Sequence, residues 1–274
     1  MTKTTPKAAD PNRSLYVEKI RPYISKTREL IDLEKKQILE ARKAPSKAPL
    51  IKLKQADDML NLLSNYIAIN GISQIVLKSK SEESLNDGRK ILYKAVIYLE
   101  EVVSNFIDAP FSDYEDKLAV IESFDQNQRY HLIRKMGLAL DLLVQAYGDN
   151  SKWRWTFVEL EGRFATIAKN ILDLRNVYTN SSPESDFYDS TVYHLRLVKK
   201  LLVQSADRYR EKYELSTSQF SDFKTGISYL AALRRIHIVL AENEESESIK
   251  KKLTIWKTKL ETDMKKQEEA KKRA

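Results

Sequence analysis

Residues 44–49, Ala-Pro-Ser-Lys-Ala-Pro (APSKAP), decide the fold of this 274-residue chain because they are its clearest break in a helical pattern. Proline lacks a backbone N–H and disfavours helix at the residue before it. On both sides of the break, over residues 12–43 and 50–80, apolar residues recur at helical spacing. The sequence therefore predicts two long helices that fold back on each other as a hairpin.

The rest of the chain follows the same pattern, with only six glycines and seven prolines in all. Short turns separate the helical segments, which predicts antiparallel neighbours. The fold class is all-α: a long-helix bundle with an N-terminal hairpin or stalk and a more compact C-terminal helical bundle. The nine predicted helices cover approximately residues 12–43, 50–80, 84–108, 113–124, 126–147, 152–178, 186–213, 221–242 and 249–270.

The same breaks divide the chain into four predicted regions. Residues 1–11 form a flexible N-terminal arm, 12–110 the long-helix stalk or hairpin, 111–245 a helical bundle, and 246–274 a basic C-terminal helix and tail. The polar stretch 243–248, which spans the boundary between the last two regions, is interpreted as a solvated linker.

Basic charge is concentrated at the two ends of the chain. Residues 1–54 carry a net charge of +8, residues 55–242 of −3 and residues 243–274 of +3. A protein whose folded body binds nucleic acid usually has a basic face on that body. The distribution therefore favours a protein partner, and it leaves open docking of the basic ends on a polyanion.

The residue inventory argues against an enzyme. The chain has no cysteine, and its three histidines, His131, His194 and His237, lie in different predicted helices without the partners that a metal motif needs. These histidines are expected at the surface or at its boundary. Paired carboxylates such as Asp57 and Asp58 are interpreted as solvated helix faces. No catalytic, cofactor-binding or metal-binding residue is predicted, and a helical-bundle enzyme with a cofactor is the disfavoured alternative.

Two aromatic clusters are the predicted interface. The first is Trp153-Arg154-Trp155, where residues two apart on a helix diverge by about 200°, so both indoles cannot point into one core stripe. Tryptophan and arginine are enriched at protein interfaces. The second is Phe187-Tyr188, which follows a loop and has Tyr193 on the next turns.

The chain resembles the spirochaete flagellar coiling proteins that coat the periplasmic flagellar filament. The resemblance lies in the Lys-rich, cysteine-free, all-helical chain, the Pro/Ala/Lys N-terminal arm, and the long first hairpin (residues 12–80) ahead of a tighter bundle that contains Trp153-Arg154-Trp155. It implies a coat protein without enzymatic activity whose partners are filament or assembly subunits. It also implies a periplasmic location if the chain is a mature form.

Two observations support other interpretations. The N-terminus has no apolar segment of the kind that a secretory signal contains, which, taken literally, predicts a cytoplasmic protein. The basic ends support a nucleic-acid-associated accessory protein as the alternative function. No stretch is long and apolar enough to predict a membrane span.

Overall fold

A computed structural model describes residues 11–148 and 152–273. Within these residues the chain is all-α and has no strand, which confirms the predicted fold class. Its helices are α1 (Pro11–Lys43), α2 (Ala48–Val76), α3 (Glu82–Val103), α4 (Glu115–Val120), α5 (Gln126–Tyr147), α6 (Arg154–Ile171), α7 (Val177–Asn180), α8 (Tyr188–Lys212), α9 (Phe220–Val239) and α10 (Asn243–Arg273).

The helices form two compact units, and the chain passes between them more than once. Of the described residues, unit 1 takes 11–99 and 135–148, and unit 2 takes 100–134 and 152–273. Helices α3 and α5 therefore each supply residues to both units. The sequence divided the chain instead at residues 110 and 245.

Unit 1 is built from α1, α2, most of α3 and the second half of α5. Its apolar core combines one face from each of the last three helices, at spacings that suit helix packing. At Gly88 the helices approach closely, because a Cβ there would lie 2.9 Å from the Leu63 side chain and 3.5 Å from that of Leu143. The fully buried side chains include Leu53, Ala56, Met59, Leu60, Leu63, Leu85, Leu92, Val96, Leu99, Met136 and Leu143.

Helix α1 packs on the other helices of unit 1 through a partly polar stripe. The isoleucines at 24, 31 and 38, which recur at heptad spacing, are only half-buried, and the buried residues are Thr27, Leu30, Glu34 and Gln37. The buried carboxylate of Glu34 has partners on α3, since it accepts hydrogen bonds from Tyr98 (2.5 Å) and Lys94 (2.9 Å).

Unit 2 is organised around α6, whose residues from Phe157 to Ile171 are mostly buried. Helix α8 packs against α6, α9 against α8, and α10 against α9. An aromatic cluster joins the last three helices, with Phe223 stacked on Tyr213 at 5.0 Å and packed on Trp256 at 5.4 Å.

Two predicted helices end earlier in the structure. The helix predicted over 152–178 stops at Ile171, because the carboxylate of Asp173 accepts the backbone N–H of Arg175 and stabilises a turn instead. Helix α3 stops at Val103, because Ser104 has a positive φ of 130° and its carbonyl accepts the side-chain amide of Asn170.

The interpretation of residues 243–248 as a linker is wrong, since α10 begins at Asn243. Ala241, with φ of 56°, ends the preceding helix in a left-handed conformation. Glu244 and Glu245 then lie in the first turn of α10, where carboxylates interact favourably with the helix dipole.

Candidate interaction site

The candidate site lies in unit 2, where the start of α5 meets the start of α8. Helix α5 begins with a capping box at residues 125–128. The Gln128 N–H donates to the Asp125 carboxylate (2.8 Å), and the Asp125 N–H donates to the Gln128 side chain (2.9 Å). This reciprocal cap fixes where the first turns of α5 present their side chains.

A buried arginine on α5 holds the same region in place. Arg129 is 4 % exposed, and its guanidinium donates to the backbone oxygens of Phe124 (2.8 Å), Ile121 (3.3 Å) and Ile171 (3.4 Å). Asp173 lies 3.9 Å away and supplies an opposite charge. The arginine thereby ties the segment before α5 to the C-terminus of α6 and orients the residues next to it.

A buried histidine lies beneath the site and hydrogen-bonds to the residues that hold it in place. His194 on α8 is fully buried; its Nε2–H donates to the Ala168 carbonyl (2.9 Å), so Nδ1 is the acceptor for the side-chain amide of Gln126 (3.2 Å). Burial lowers the pKa of His194 to about 4, which keeps the ring neutral near pH 7. Gln126 also donates to the carbonyl of Ser190, at 3.4 Å.

Two rows of side chains, one on α5 and one on α8, line a surface cleft of about 530 Å³. The row on α5 follows the spacing i, i+3, i+4, i+7, which brings residues onto one helix face. The row on α8 faces it across the cleft. The lining residues are Asn127, Tyr130, His131 and Arg134 from α5, and Asp189, Ser190 and Tyr193 from α8.

Aromatic and basic side chains are layered in this cleft. The rings of Tyr130 and Tyr193 are nearly parallel, at 17°, with centroids 6.4 Å apart. The guanidinium of Arg134 lies 5.6 Å from the Tyr130 ring, and that of Arg196 lies 5.9 Å from the Tyr193 ring. We call these four side chains the Arg–Tyr stack.

The two arginines of the Arg–Tyr stack have no carboxylate partner among the described residues. Other arginines of unit 2 are paired, such as Arg163 with Glu100 at 2.6 Å. Both arginines of the stack are exposed, and Tyr193 is 49 % exposed. The stack therefore presents positive charge and aromatic surface to the solvent, which is the composition of energetically important interface residues.

The predicted cluster Trp153-Arg154-Trp155 lies at the start of α6. Both tryptophans are half-buried and Arg154 is exposed. A basic group covers each indole: Lys152 Nζ lies 5.4 Å from the Trp153 ring, and the Arg154 guanidinium lies 4.8 Å from the Trp155 ring. That these residues form an interface stays a prediction.

The second predicted cluster, Phe187 and Tyr188, begins α8. Phe187 is the residue before the first turn, and its carbonyl accepts the Thr191 N–H (2.9 Å) and the Ser190 hydroxyl (3.0 Å). Both aromatic residues are half-buried. Their role in an interface also stays a prediction, while Tyr193, noted beside them in the sequence, lies in the cleft.

Sequence reasoning did not predict the α5 half of the cleft. The spacing of Asn127, Tyr130, His131 and Arg134 on one helix face was the available signal. Nothing local in the sequence pairs Tyr130 with Tyr193, since the two are 63 positions apart and meet only through the packing of α5 on α8.

The histidines lie in three different environments. His131 is exposed, as expected, but His194 is fully buried and His237 is 7 % exposed, so the expectation of a surface position is wrong for these two. Burial is possible because each ring has hydrogen-bond partners; His237 Nδ1 lies 2.6 Å from the Glu242 carboxylate.

No group of histidines and carboxylates suited to a metal ion occurs within residues 11–148 and 152–273. Across these same residues, no helix has the length and apolar character needed to span a membrane.

Comparison with known proteins identifies the family. No curated protein and no solved structure matches the chain. A match to a family description covers residues 12–264, from the start of α1 into the last turns of α10. The chain belongs to the TP0443 family.

Proposed function

We propose that this chain is a non-enzymatic helical interaction protein that acts as a coat or accessory subunit of a filamentous assembly, such as the spirochaete periplasmic flagellum. The observation that carries the proposal is the presence of aromatic rings covered by basic side chains at the surface of unit 2, in the Arg–Tyr stack and at Trp153–Trp155. Tyrosine, tryptophan and arginine are the residue types enriched where proteins bind each other.

The filamentous assembly and its compartment rest on the resemblance described above. An all-helical, cysteine-free chain with a long first hairpin is consistent with a coat protein. The alternative, a cytoplasmic nucleic-acid accessory protein, rests on the basic ends. Some of that charge is neutralised locally, since Lys26 pairs with Glu29 and Lys35 with Asp32 on α1.

A cross-linked pull-down from the native cell, with and without nuclease, tests this proposal. We expect the chain to recover the same filament or assembly subunits in both conditions, identified by mass spectrometry. Recovery that disappears after nuclease treatment would contradict the protein-assembly function and support the alternative, because phosphate contacts then provide the binding.

A Trp155→Ala variant extends the test to the predicted interface. We expect it to recover less of the subunits while circular dichroism shows unchanged helicity. The matched control is Tyr16→Ala on α1, a half-buried aromatic residue in the other unit. Equal recovery by the Trp155→Ala variant and the wild type would remove this residue from the interface.

A further inference from the structure

We infer that the cleft between α5 and α8 is the docking site for an acidic, aromatic-containing segment of a protein partner. The inference rests on the proposed function in that it names the chemistry of the partner that an interaction protein would bind at this cleft. Carboxylates of the partner pair with Arg134 and Arg196, and an aromatic side chain packs on Tyr130 and Tyr193.

Charge complementarity selects an acidic occupant. Arg134 and Arg196 are exposed at the cleft, and Asp189 is the one acidic residue in its lining. Neither arginine pairs with a carboxylate of the described residues, so each guanidinium is available to a partner. Arginine binds carboxylates through two parallel hydrogen bonds, which fixes the geometry of the contact as well as its charge.

The aromatic surface selects a partner that also carries a ring. Tyr193 is 49 % exposed, and its neighbour Tyr130 is half-buried, with the centroid of the buried His194 ring 6.0 Å from its own. The tyrosine pair thus contacts the interior of unit 2 through Tyr130, while Tyr193 stays exposed to a partner. An additional aromatic ring packed there stabilises the complex beyond the contribution of the area that it buries.

The shape of the cleft favours an extended chain segment over a small molecule. Small-molecule sites enclose most of their ligand with apolar walls. Here most of the lining residues are exposed and polar, and they lie in two rows, one on α5 and one on α8. Asn127 and Asp189, exposed in these rows, offer donors and acceptors to the backbone of such a segment.

Fluorescence anisotropy with the full-length chain tests the inference. The probe is a fluorescein-labelled synthetic peptide in which glutamate and phenylalanine alternate, and the second probe has glutamine in place of each glutamate. We expect the glutamate peptide to bind and the glutamine peptide to bind about tenfold more weakly, with affinity falling as salt is raised.

Substitutions locate the binding. Arg134→Glu and Arg196→Glu should each weaken the glutamate peptide about tenfold, because each replaces an attraction with a repulsion. Tyr193→Ala should weaken it about threefold to tenfold through the lost ring contact. Arg28→Glu is the matched control, since it makes the same charge change on exposed α1 of unit 1 and should alter the affinity less than about twofold. Thermal melts confirm that each variant is folded.

Several results would overturn the inference. They are no binding of the glutamate peptide, equal weakening by Arg28→Glu and Arg134→Glu, or tighter binding of a single-stranded oligonucleotide of equal length that the cleft variants abolish. A native pull-down with Arg134→Glu separates this failure from that of the proposed function. Unchanged recovery of assembly subunits would reject the cleft and leave the interaction function in place.

Discussion

Gly162 on α6 lies where two tyrosines leave no room for a side chain. A Cβ at this position would be 2.6 Å from the Tyr229 hydroxyl and 2.7 Å from the Tyr209 ring, and these rings stack with centroids 5.6 Å apart. We expect Gly162→Ala to lower the free energy of unfolding by about 1–3 kcal/mol, because the buried rings must move.

The control for this substitution is Gly71→Ala on α2, where a Cβ would have no atom within 4 Å. That change should raise the free energy of unfolding by about 0.5–1 kcal/mol, because alanine favours helix over glycine. Urea denaturation of both variants measures the difference. The same sign for the two substitutions would show that close packing does not explain Gly162.

His194 makes the stability of unit 2 depend on pH. Its pKa of about 4 in the folded chain is below the ordinary value of 6.5, so the unfolded chain binds more protons between these values. The contribution of the neutral ring is fully present above pH 6.5 and falls by about 3 kcal/mol as pH drops to 4.

Replacing His194 with glutamine should remove this part of the pH dependence. We expect a constant loss of stability and a flatter profile of unfolding free energy between pH 6.5 and 4. His131→Gln, the same substitution at an exposed position of α5, is the matched control. A His194→Gln profile parallel to that of the wild type would contradict the assignment.

Only the part of α10 up to Met264 should contribute to the free energy of unfolding. Trp256 is 3 % exposed and packs on Phe223, whereas residues 265–272 are exposed. We expect Trp256→Ala to lower the free energy of unfolding by about 3–5 kcal/mol through the cavity it leaves. Truncation after Met264 should change it by less than about 0.5 kcal/mol. Chemical denaturation compares the two, and a large effect of truncation would show that the charged end makes contacts.

Helices were predictable from the sequence because their signals are local. The break at residues 44–49 acts over a few residues and occurs as expected. The capping box of Asp125 and Gln128 is equally local, since its two hydrogen bonds join residues three positions apart. The end of α3 at Val103 was not predictable, because it depends on Asn170, which is distant in sequence. The α5 side of the cleft was not predictable either, because Tyr130 comes next to Tyr193 only through tertiary packing. On the α8 side, Tyr193 was noted in the sequence.

At the scale of the whole molecule, the order of segments makes the two units depend on one continuous chain. Helix α5 gives its first residues to unit 2 and residues 135–147 to unit 1. One face of residues 135–147 is buried in unit 1, with Leu143 fully buried and Leu140 at 4 % exposure. The Lys80 ammonium also donates to the Tyr147 carbonyl at 2.9 Å. A cut near residue 100 therefore separates α5 from the helices that cover its second half.

The fragment 100–274 should for this reason be prone to association. The double substitution Leu140→Glu and Leu143→Glu should have opposite effects in the full-length chain and in this fragment. In the full-length chain it places two carboxylates in an apolar core and should prevent folding. In the fragment the same positions lie exposed, so the substitution removes an apolar patch and should raise the fraction of monomer. Light scattering measures the fraction of monomer, and circular dichroism measures the helix content. Two results would show that the second half of α5 does not need unit 1: a wild-type fragment that is monomeric and keeps its helices, or a fraction of monomer that the two carboxylates do not raise.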